Sequence, residues 1–148
     1  RIAIGADHAG FELKEELAAY LAELGHEVEN LGTDGTAPVD YPDFAEAVAT
    51  AIREGRAERG VLVCGTGSGI AMAANRHAGV RAAVCHDTTT ARLAREHNDA
   101  NVLALGGRII GKGLAEEIAT IFLTTPFSGD RHARRVAKIM EGETQRSA

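Results

Sequence analysis

The sequence predicts a single domain of the α/β class, with three layers in which helices cover both faces of a five-stranded parallel sheet. Short apolar segments alternate with longer helical segments along the whole chain. The apolar segments lack polar alternation, which is typical of strands buried on both faces. Strands that alternate with helices at this spacing form parallel sheets.

In the first half of the chain, three predicted strands each lead into a helix. The first helix has a broad apolar stripe between Phe11 and Leu24, and Gly25 ends it. The polar loop over residues 32–38 is long enough to be functional, and Pro42 suits the first turn of the second helix. We predict strands over residues 2–4, 28–31 and 61–63, and helices over residues 10–24, 42–54 and 70–76.

The second half repeats the pattern twice and adds a C-terminal helix. Asp87 and the three threonines that follow it are typical of a helix start, and Gly106-Gly107 closes the fifth strand. We predict strands over residues 80–85 and 101–105, and helices over residues 87–97, 112–123 and 130–141.

Composition narrows the class of protein further. A chain of 148 residues, 45% hydrophobic and 25% charged, suits one globular domain with a sizeable core. Its net charge of −5 argues against a nucleic-acid partner, and no apolar segment is long enough for a signal peptide or membrane span. Two cysteines without a Cys-x-x-Cys spacing indicate neither a disulfide framework nor a zinc ribbon, which favours a reducing, cytoplasmic location.

The segment from Val61 to Gly69 carries the most distinctive chemistry. An apolar strand ends at Cys64, and a loop with Gly65, Gly67 and Gly69 leads into a helix. Backbone N–H groups in such a loop can converge on an anion, either a phosphate or a developing enediolate oxygen. The loop lacks the lysine of a nucleotide-hydrolase phosphate loop, the third glycine of the dinucleotide fingerprint and the glycine spacing of a serine nucleophile elbow.

From the residues alone, Cys64 has two interpretations. It is either a reactive thiol beside an anion-binding loop or a small buried hydrophobe that ends a strand. Cys85 also ends a predicted strand, but His86 and Asp87 follow it instead of glycines. We therefore interpret Cys85 as structural.

Polar residues gather where the predicted strands end. Parallel α/β sheets bind ligands outside the carboxyl ends of their strands, so the thiol is expected to have polar neighbours there. The residues at these ends are Asp7, His8, Cys64, Thr66, His86, Asp87, Gly106 and Gly107.

Two further groups are open to a functional or a structural interpretation. Arg131 and Arg135, four residues apart on one helix face, could clamp a phosphate or belong to a solvated basic face, and Arg108 is a weaker candidate for the same role. His97 could act as an acid or base or simply favour a helix C-terminus. A metal site is the alternative for the histidines and Asp7, but no metal-binding spacing is present.

Five motifs, in order and over essentially the whole chain, resemble the type B ribose-5-phosphate isomerases, which belong with the galactose-6-phosphate and allose-6-phosphate isomerases. The motifs are Gly5-Ala-Asp-His-Ala-Gly-Phe11, Asp40-Tyr-Pro42, Cys64-Gly-Thr-Gly-Ser-Gly-Ile70 with Ala73-Ala-Asn75, Glu96-His-Asn-Asp99 and Arg131-His-Ala-Arg-Arg135. The resemblance implies a Rossmann-like fold, no metal or cofactor, and aldose–ketose isomerisation of a sugar phosphate through a cis-enediolate. It also implies a homodimer, or a dimer of dimers, with a site shared between subunits.

The resemblance also implies a role for each matched residue. Cys64 is the expected base, and residues 70–74 lack the carboxylate that some members use in its place. Thr66 and His97 match the pair that opens the sugar ring. The expected substrate-binding residues are Asp7, His8, Tyr41, Gly65, Gly67, Ser68, Gly69, Asn98, Arg108, Arg131 and Arg135. Ser68 and residues 86–90 follow no fixed family pattern, which leaves the sugar open: ribose 5-phosphate is expected, and another sugar or sugar phosphate is the alternative. A non-catalytic sugar-phosphate sensor is the second function class, since a fold does not fix a function.

Overall fold

A computed structural model describes the backbone of residues 1–147 and the side chains of residues 1–143. The strands are β1 (Ile2–Ala6), β2 (Val28–Asn30), β3 (Arg59–Cys64), β4 (Ala82–Val84) and β5 (Val102–Gly106). The helices are α1 (Phe11–Glu23), α2 (Tyr41–Arg53), α3 (Ser68–Ala74), α4 (Thr88–Asn98), α5 (Lys112–Thr124) and α6 (Arg131–Ser147). None of the described helices is long and apolar enough to cross a membrane.

All five strands are parallel, in the order β2-β1-β3-β5-β4. Cys64, the last residue of β3, is paired with Gly106, the last residue of β5. On the other side of β3, Val63 is paired with Ala6 at the end of β1. The carboxyl ends of the three central strands therefore meet at one edge of the sheet. This is the three-layer α/β domain that the sequence predicts.

Alternation along β3 assigns its side chains to two cores. Val61 and Val63 lie in the core formed with α1, α4 and α5. Leu62 and Cys64 lie in the core formed with α2 and α3. Because successive side chains of a strand point to opposite faces, Cys64 is directed toward α2 and α3 and away from α4.

Several predicted elements have different lengths in the structure, among them β1 and β3, which are longer than predicted, the fourth strand and the last helix. The fourth strand covers three residues instead of six, because the N–H of Arg81 donates to the side-chain oxygen of Asn101 (2.8 Å) and not to a neighbouring strand. The last helix continues past residue 141 to Ser147, and Glu143 ties it to the chain by accepting the N–H of Gly79 (2.6 Å). Residue 148 lies outside the described part of the chain.

Candidate active site

A cavity of about 330 Å³ opens at the carboxyl edge of the sheet. The ends of β1, β3 and β5 and the start of α2 supply its walls. The lining residues are Asp7, His8, Ala9, Tyr41, Cys64, Gly65, Thr66, Gly69 and Arg108. Most of the residues predicted to act near Cys64 therefore lie in one cavity of a single chain.

Cys64 is 4% exposed, and its sulfur accepts the N–H of Gly67 at 3.1 Å. Gly67 has a φ of 83°, a left-handed conformation that directs its N–H back toward the thiol and that glycine adopts without steric cost. A backbone N–H therefore points at the sulfur, the geometry in which a donor stabilises negative charge on its acceptor. The local sequence favours this position of the N–H, because glycine at position 67 readily adopts a positive φ.

The glycine loop also retains free donors for a ligand. The N–H of Ser68 donates to the hydroxyl oxygen of Thr66 at 3.2 Å, and the N–H of Gly67 is taken by Cys64. Among the described residues, the N–H groups of Gly69 and Ile70 have no hydrogen-bond partner. These two N–H groups are therefore available to an anion.

Tyr41 closes the cavity on the side of α3. A β-carbon at Gly69 would lie 2.7–2.9 Å from the ring and hydroxyl of Tyr41, closer than side chains approach. Position 69 must therefore remain glycine for the tyrosine ring to lie against the loop. The motif glycine serves the packing of Tyr41 as well as the backbone.

Arg108 is the arginine of this cavity. Its N–H donates to the carbonyl of Gly65 at 3.0 Å, and its guanidinium lies across Gly65, about as close as 3.4 Å to where a β-carbon would stand. The salt bridges within residues 1–143 do not involve Arg108. A solvent-exposed cation without an internal partner is thus fixed beside the thiol.

Asp7 and His8 are oriented by backbone groups. One carboxylate oxygen of Asp7 accepts the N–H groups of Ala9 (3.0 Å) and Gly10 (3.1 Å) at the start of α1. Nδ1 of His8 accepts the N–H of Val39 at 3.1 Å. The other carboxylate oxygen and Nε2 remain for a ligand, since neither forms a hydrogen bond with a described residue.

Lys14 is a supporting residue that the sequence interpretation missed. It is fully buried, and its ammonium donates to Asn30 (2.9 Å) and to the carbonyl of Thr33 (2.8 Å). Lys14 thereby holds Thr33, at the start of the loop that leads to Val39, the residue hydrogen-bonded to His8. The available signal was its spacing, because Lys14 lies three and seven residues before Leu17 and Leu21 of the buried helix face.

The second thiol differs in its chemistry. The pKa of Cys85 is raised to about 11, mainly by burial and to a smaller extent by the nearby charge of Asp87, while a hydrogen bond with Thr90 opposes both effects. Asp87 caps α4 as the sequence predicts, and its pKa is lowered mainly because it accepts the backbone N–H of Thr90. His86 accepts the N–H of Gly106 through Nε2 at 3.0 Å and so supports the end of β5.

Four predicted site residues lie apart from the cavity. His97 and Asn98 end α4, while Arg131 and Arg135 are exposed on α6. Asn98 lines a different cavity of about 570 Å³, between β4 and α6. His97 stacks on His132 with ring centroids 4.3 Å apart, so the predicted acid–base and phosphate groups lie together on the α4 and α6 side of the chain.

The fold and the cavity together define a class of protein. A thiol, a carboxylate, an imidazole and a free arginine converge at the carboxyl edge of a parallel sheet. Such a site suits a small, oxygen-rich anion and proton transfer on it. Within residues 1–143, no group of three or more His, Cys, Asp or Glu side chains is arranged to hold a metal ion.

Comparison with known proteins identifies the family. The Ribose/Galactose Isomerase family matches residues 2–139. Ribose-5-phosphate isomerase B of Escherichia coli is 46% identical over 147 residues, which are 99% of each chain. D-erythrulose-4-phosphate isomerase of Pectobacterium atrosepticum is 46% identical over 140 residues, covering 93% of this chain and 91% of that protein.

A solved structure agrees with this result. Ribose-5-phosphate isomerase B of Clostridium thermocellum is 51% identical and superposes with a TM-score of 0.97, over 98% of both chains. The protein therefore belongs to the ribose/galactose isomerase family of sugar-phosphate isomerases. The resemblance found from the sequence motifs is confirmed.

Proposed function

We propose that the protein interconverts ribose 5-phosphate and ribulose 5-phosphate through a cis-enediolate, with Cys64 as the base. The observation that carries this proposal is the position of the Cys64 sulfur, which accepts the N–H of Gly67 in a cavity that also contains Asp7, His8 and Arg108. The E. coli and C. thermocellum relatives carry the name of this activity.

The proposed proton transfer uses few groups. The Cys64 thiolate removes the C2 proton of the open-chain aldose, and the electron pair moves onto the carbonyl oxygen at C1 to give the enediolate. The N–H groups of Gly69 and Ile70 stabilise the oxygen that becomes negative. The thiol then returns the proton to C1, while the proton on the C2 oxygen passes to the C1 oxygen, which leaves a C1 hydroxyl and the C2 carbonyl of the ketose.

Binding and ring opening involve the remaining residues. Asp7 and His8 hold sugar oxygens, Tyr41 lines the sugar, and Arg108 binds the phosphate with Arg131 and Arg135. Thr66 and His97 open the furanose ring.

Four of the predicted site residues lie outside the Cys64 cavity of their own chain, namely Arg131, Arg135, His97 and Asn98. We therefore propose that a second subunit supplies them in a homodimer. A catalytic thiolate also fits the proposed cytoplasmic location, where thiols stay reduced.

Steady-state kinetics with the wild type and two cysteine variants test the reaction. We expect Cys64→Ala to lower kcat for ribose 5-phosphate by at least about 10²–10⁴-fold, the usual contribution of a positioned base. Cys85→Ala is the matched control and should retain the wild-type rate, because its thiol lies away from the cavity. An inactive Cys85→Ala, or an active Cys64→Ala, would assign the base elsewhere.

Substrate choice is tested in the same assay. The equal identity to a D-erythrulose-4-phosphate isomerase makes erythrulose 4-phosphate the second candidate substrate. We expect kcat/KM to be highest for ribose 5-phosphate when it is compared with erythrulose 4-phosphate, allose 6-phosphate, galactose 6-phosphate and ribose. Binding of ribose 5-phosphate without turnover would indicate a sugar-phosphate sensor.

We also propose that the reaction needs no metal ion. Activity should therefore be unchanged after dialysis against EDTA. Loss of activity in EDTA, restored by Zn²⁺ or Mg²⁺, would contradict this part of the proposal.

A further inference from the structure

Within residues 1–143, the imidazole of His97 forms no hydrogen bond that would fix its orientation. Among the described residues, its ring makes one specific contact, a stack on His132 with centroids 4.3 Å apart and an angle of 13° between the ring planes. Histidines that transfer protons are usually oriented through a hydrogen bond on the second ring nitrogen. In this chain the neighbouring ring is the group that can set the plane of His97.

His132 is itself held firmly. It is the second residue of α6 and is 8% exposed. Its N–H donates to the carbonyl of Gly129 (3.1 Å), and the N–H of Ser128 donates to the carbonyl of Glu96 (3.0 Å), the residue before His97. The turn before α6 is therefore tied to the same part of α4 that carries His97, which fixes the distance between the rings.

We propose that His132 is a positioning residue, which holds the imidazole of His97 in the plane needed for acid–base work at the ring-opening step. This inference rests on the role given to His97 in the proposed function. Both histidines belong to the same chain, so the inference does not depend on the subunit arrangement.

The charges around the stack support this role. The charged and titratable groups that face His132 are His97 on α4, Arg131 and Arg135 on α6, and Asp130 in the preceding turn. Burial lowers the pKa of His132, positive charge on His97, Arg131 and Arg135 lowers it further, and Asp130 opposes the shift. A lowered pKa disfavours the charged form of His132 and so disfavours two adjacent imidazolium charges.

The reverse substrate separates ring opening from enolisation. Ribulose 5-phosphate has its O5 esterified and cannot form a furanose, so it reaches the site as an open chain. Exchange of its C1 proton with D₂O requires the enediolate but no ring chemistry. A residue that serves only ring opening should therefore affect turnover of ribose 5-phosphate and leave this exchange unchanged.

The test compares His97→Ala, His132→Ala and His132→Phe. We expect His132→Ala to lower kcat for ribose 5-phosphate by about 10- to 100-fold, the scale of a misplaced catalytic group, while the D₂O exchange stays at the wild-type rate. His132→Phe keeps a flat ring against His97 and should restore most of the activity. The activity of His132→Phe should also fall less toward acid pH than that of the wild type, because phenylalanine cannot become charged.

Each other outcome has a definite meaning. Unchanged turnover in His97→Ala would overturn the role of His97 in the proposed function. A slow His97→Ala beside a normal His132→Ala would overturn the positioning role alone. Equal losses in His132→Ala and His132→Phe would mean that the nitrogens of His132 act directly, which also overturns it.

An NMR measurement on the protein without substrate covers the case in which His132→Ala does not fold. The ring protons of His97 should show an upfield ring-current shift in the wild type and in His132→Phe. Absence of this shift in the wild type would show that the rings are not stacked in solution and would overturn the proposal.

Discussion

At the scale of single residues, the side chains around Cys64 differ in how firmly the backbone holds them. Asp7, His8 and Cys64 each accept backbone N–H groups, so their positions follow from the ends of β1 and β3. Arg108 is held through its own N–H, while its guanidinium remains exposed to solvent and unpaired within residues 1–143. Asp7, His8 and Cys64 are therefore suited to positioning a sugar, and Arg108 is suited to binding an anionic group of the ligand.

The prediction for Arg108 concerns substrate binding. Arg108→Ala should raise KM for ribose 5-phosphate by an amount equivalent to about 1.5–3 kcal/mol, with a smaller change in kcat, because a phosphate contact exists in both the ground and transition states. We expect the same direction for Arg131→Ala and Arg135→Ala. Steady-state kinetics with ribose 5-phosphate and with ribose measure the effect.

Arg53→Ala is the control for the loss of one positive charge, since Arg53 is an exposed residue at the end of α2 that bonds to Thr50. It should leave both substrates unaffected. Equal losses for ribose and ribose 5-phosphate in the arginine variants would indicate a structural role for the arginines instead of phosphate binding.

His132 gives a prediction on stability and pH. Burial lowers its pKa in the folded protein, whereas the unfolded chain has the ordinary value of about 6.5. As pH falls below about 6.5, the unfolded state therefore binds more protons than the folded state. The contribution of neutral His132 to the free energy of unfolding is complete above that pH and is lost as pH falls through the pKa of His132 in the folded protein. We expect the Tm of the wild type to fall more than that of His132→Phe between about pH 7.5 and pH 5. A parallel decline of the two proteins would contradict the lowered pKa.

At the scale of elements, the start of α1 lies directly against the end of β3. A β-carbon at Gly10 would lie 2.4 Å from the carbonyl oxygen of Val63, in the residue before Cys64. The first turn of α1 can lie on β3 only because position 10 has no side chain. Asp7 and Cys64 line the same cavity, on either side of this close approach.

Gly10→Ala should therefore destabilise the protein, by about 1–3 kcal/mol as expected for overpacking. Gly113→Ala is the matched control, because position 113 lies in the first turn of α5 with no atom within 4 Å of an added β-carbon. Alanine there should be neutral or stabilising by up to about 1 kcal/mol, since glycine disfavours helix. Urea denaturation measures both, and an equally stable Gly10→Ala protein would contradict the close packing.

At the scale of the whole molecule, the candidate residues form two groups. One group surrounds Cys64 at the sheet edge, and the other lies on α4 and α6 with His97. In a two-fold symmetric dimer, the Cys64 group of each chain would meet the His97 group of the other chain. The assembly would then contain two complete sites.

Mixed dimers test this arrangement. Cys64→Ala and His97→Ala, each nearly inactive alone, are unfolded together and refolded. If one site takes Cys64 and His97 from different subunits, each mixed dimer contains one intact site, and random mixing restores roughly a quarter of the wild-type activity. If mixed dimers confirmed by mass remain inactive, the site is not shared between subunits.

The sequence by itself determined the elements and the central loop. Apolar runs and helical stripes are local patterns, so the order of strands and helices, the cap at Asp87 and the loop after Cys64 were predictable. Two of the boundaries that differ involve contacts between residues distant along the chain. The bond from Arg81 to Asn101 shortens β4, and the bond from Gly79 to Glu143 anchors the long last helix.

Tertiary structure alone decided which of these residues meet. The sequence ranked Arg108 below Arg131 and Arg135, yet Arg108 is the one beside Cys64, because the pairing of β3 with β5 brings Gly65 and Arg108 together. The same applies to the burial of Lys14 and to the stack of His97 on His132, which join segments distant along the chain. Local periodicity specifies which face of an element is buried, whereas strand order and helix packing specify its neighbours, and these depend on contacts across the whole fold.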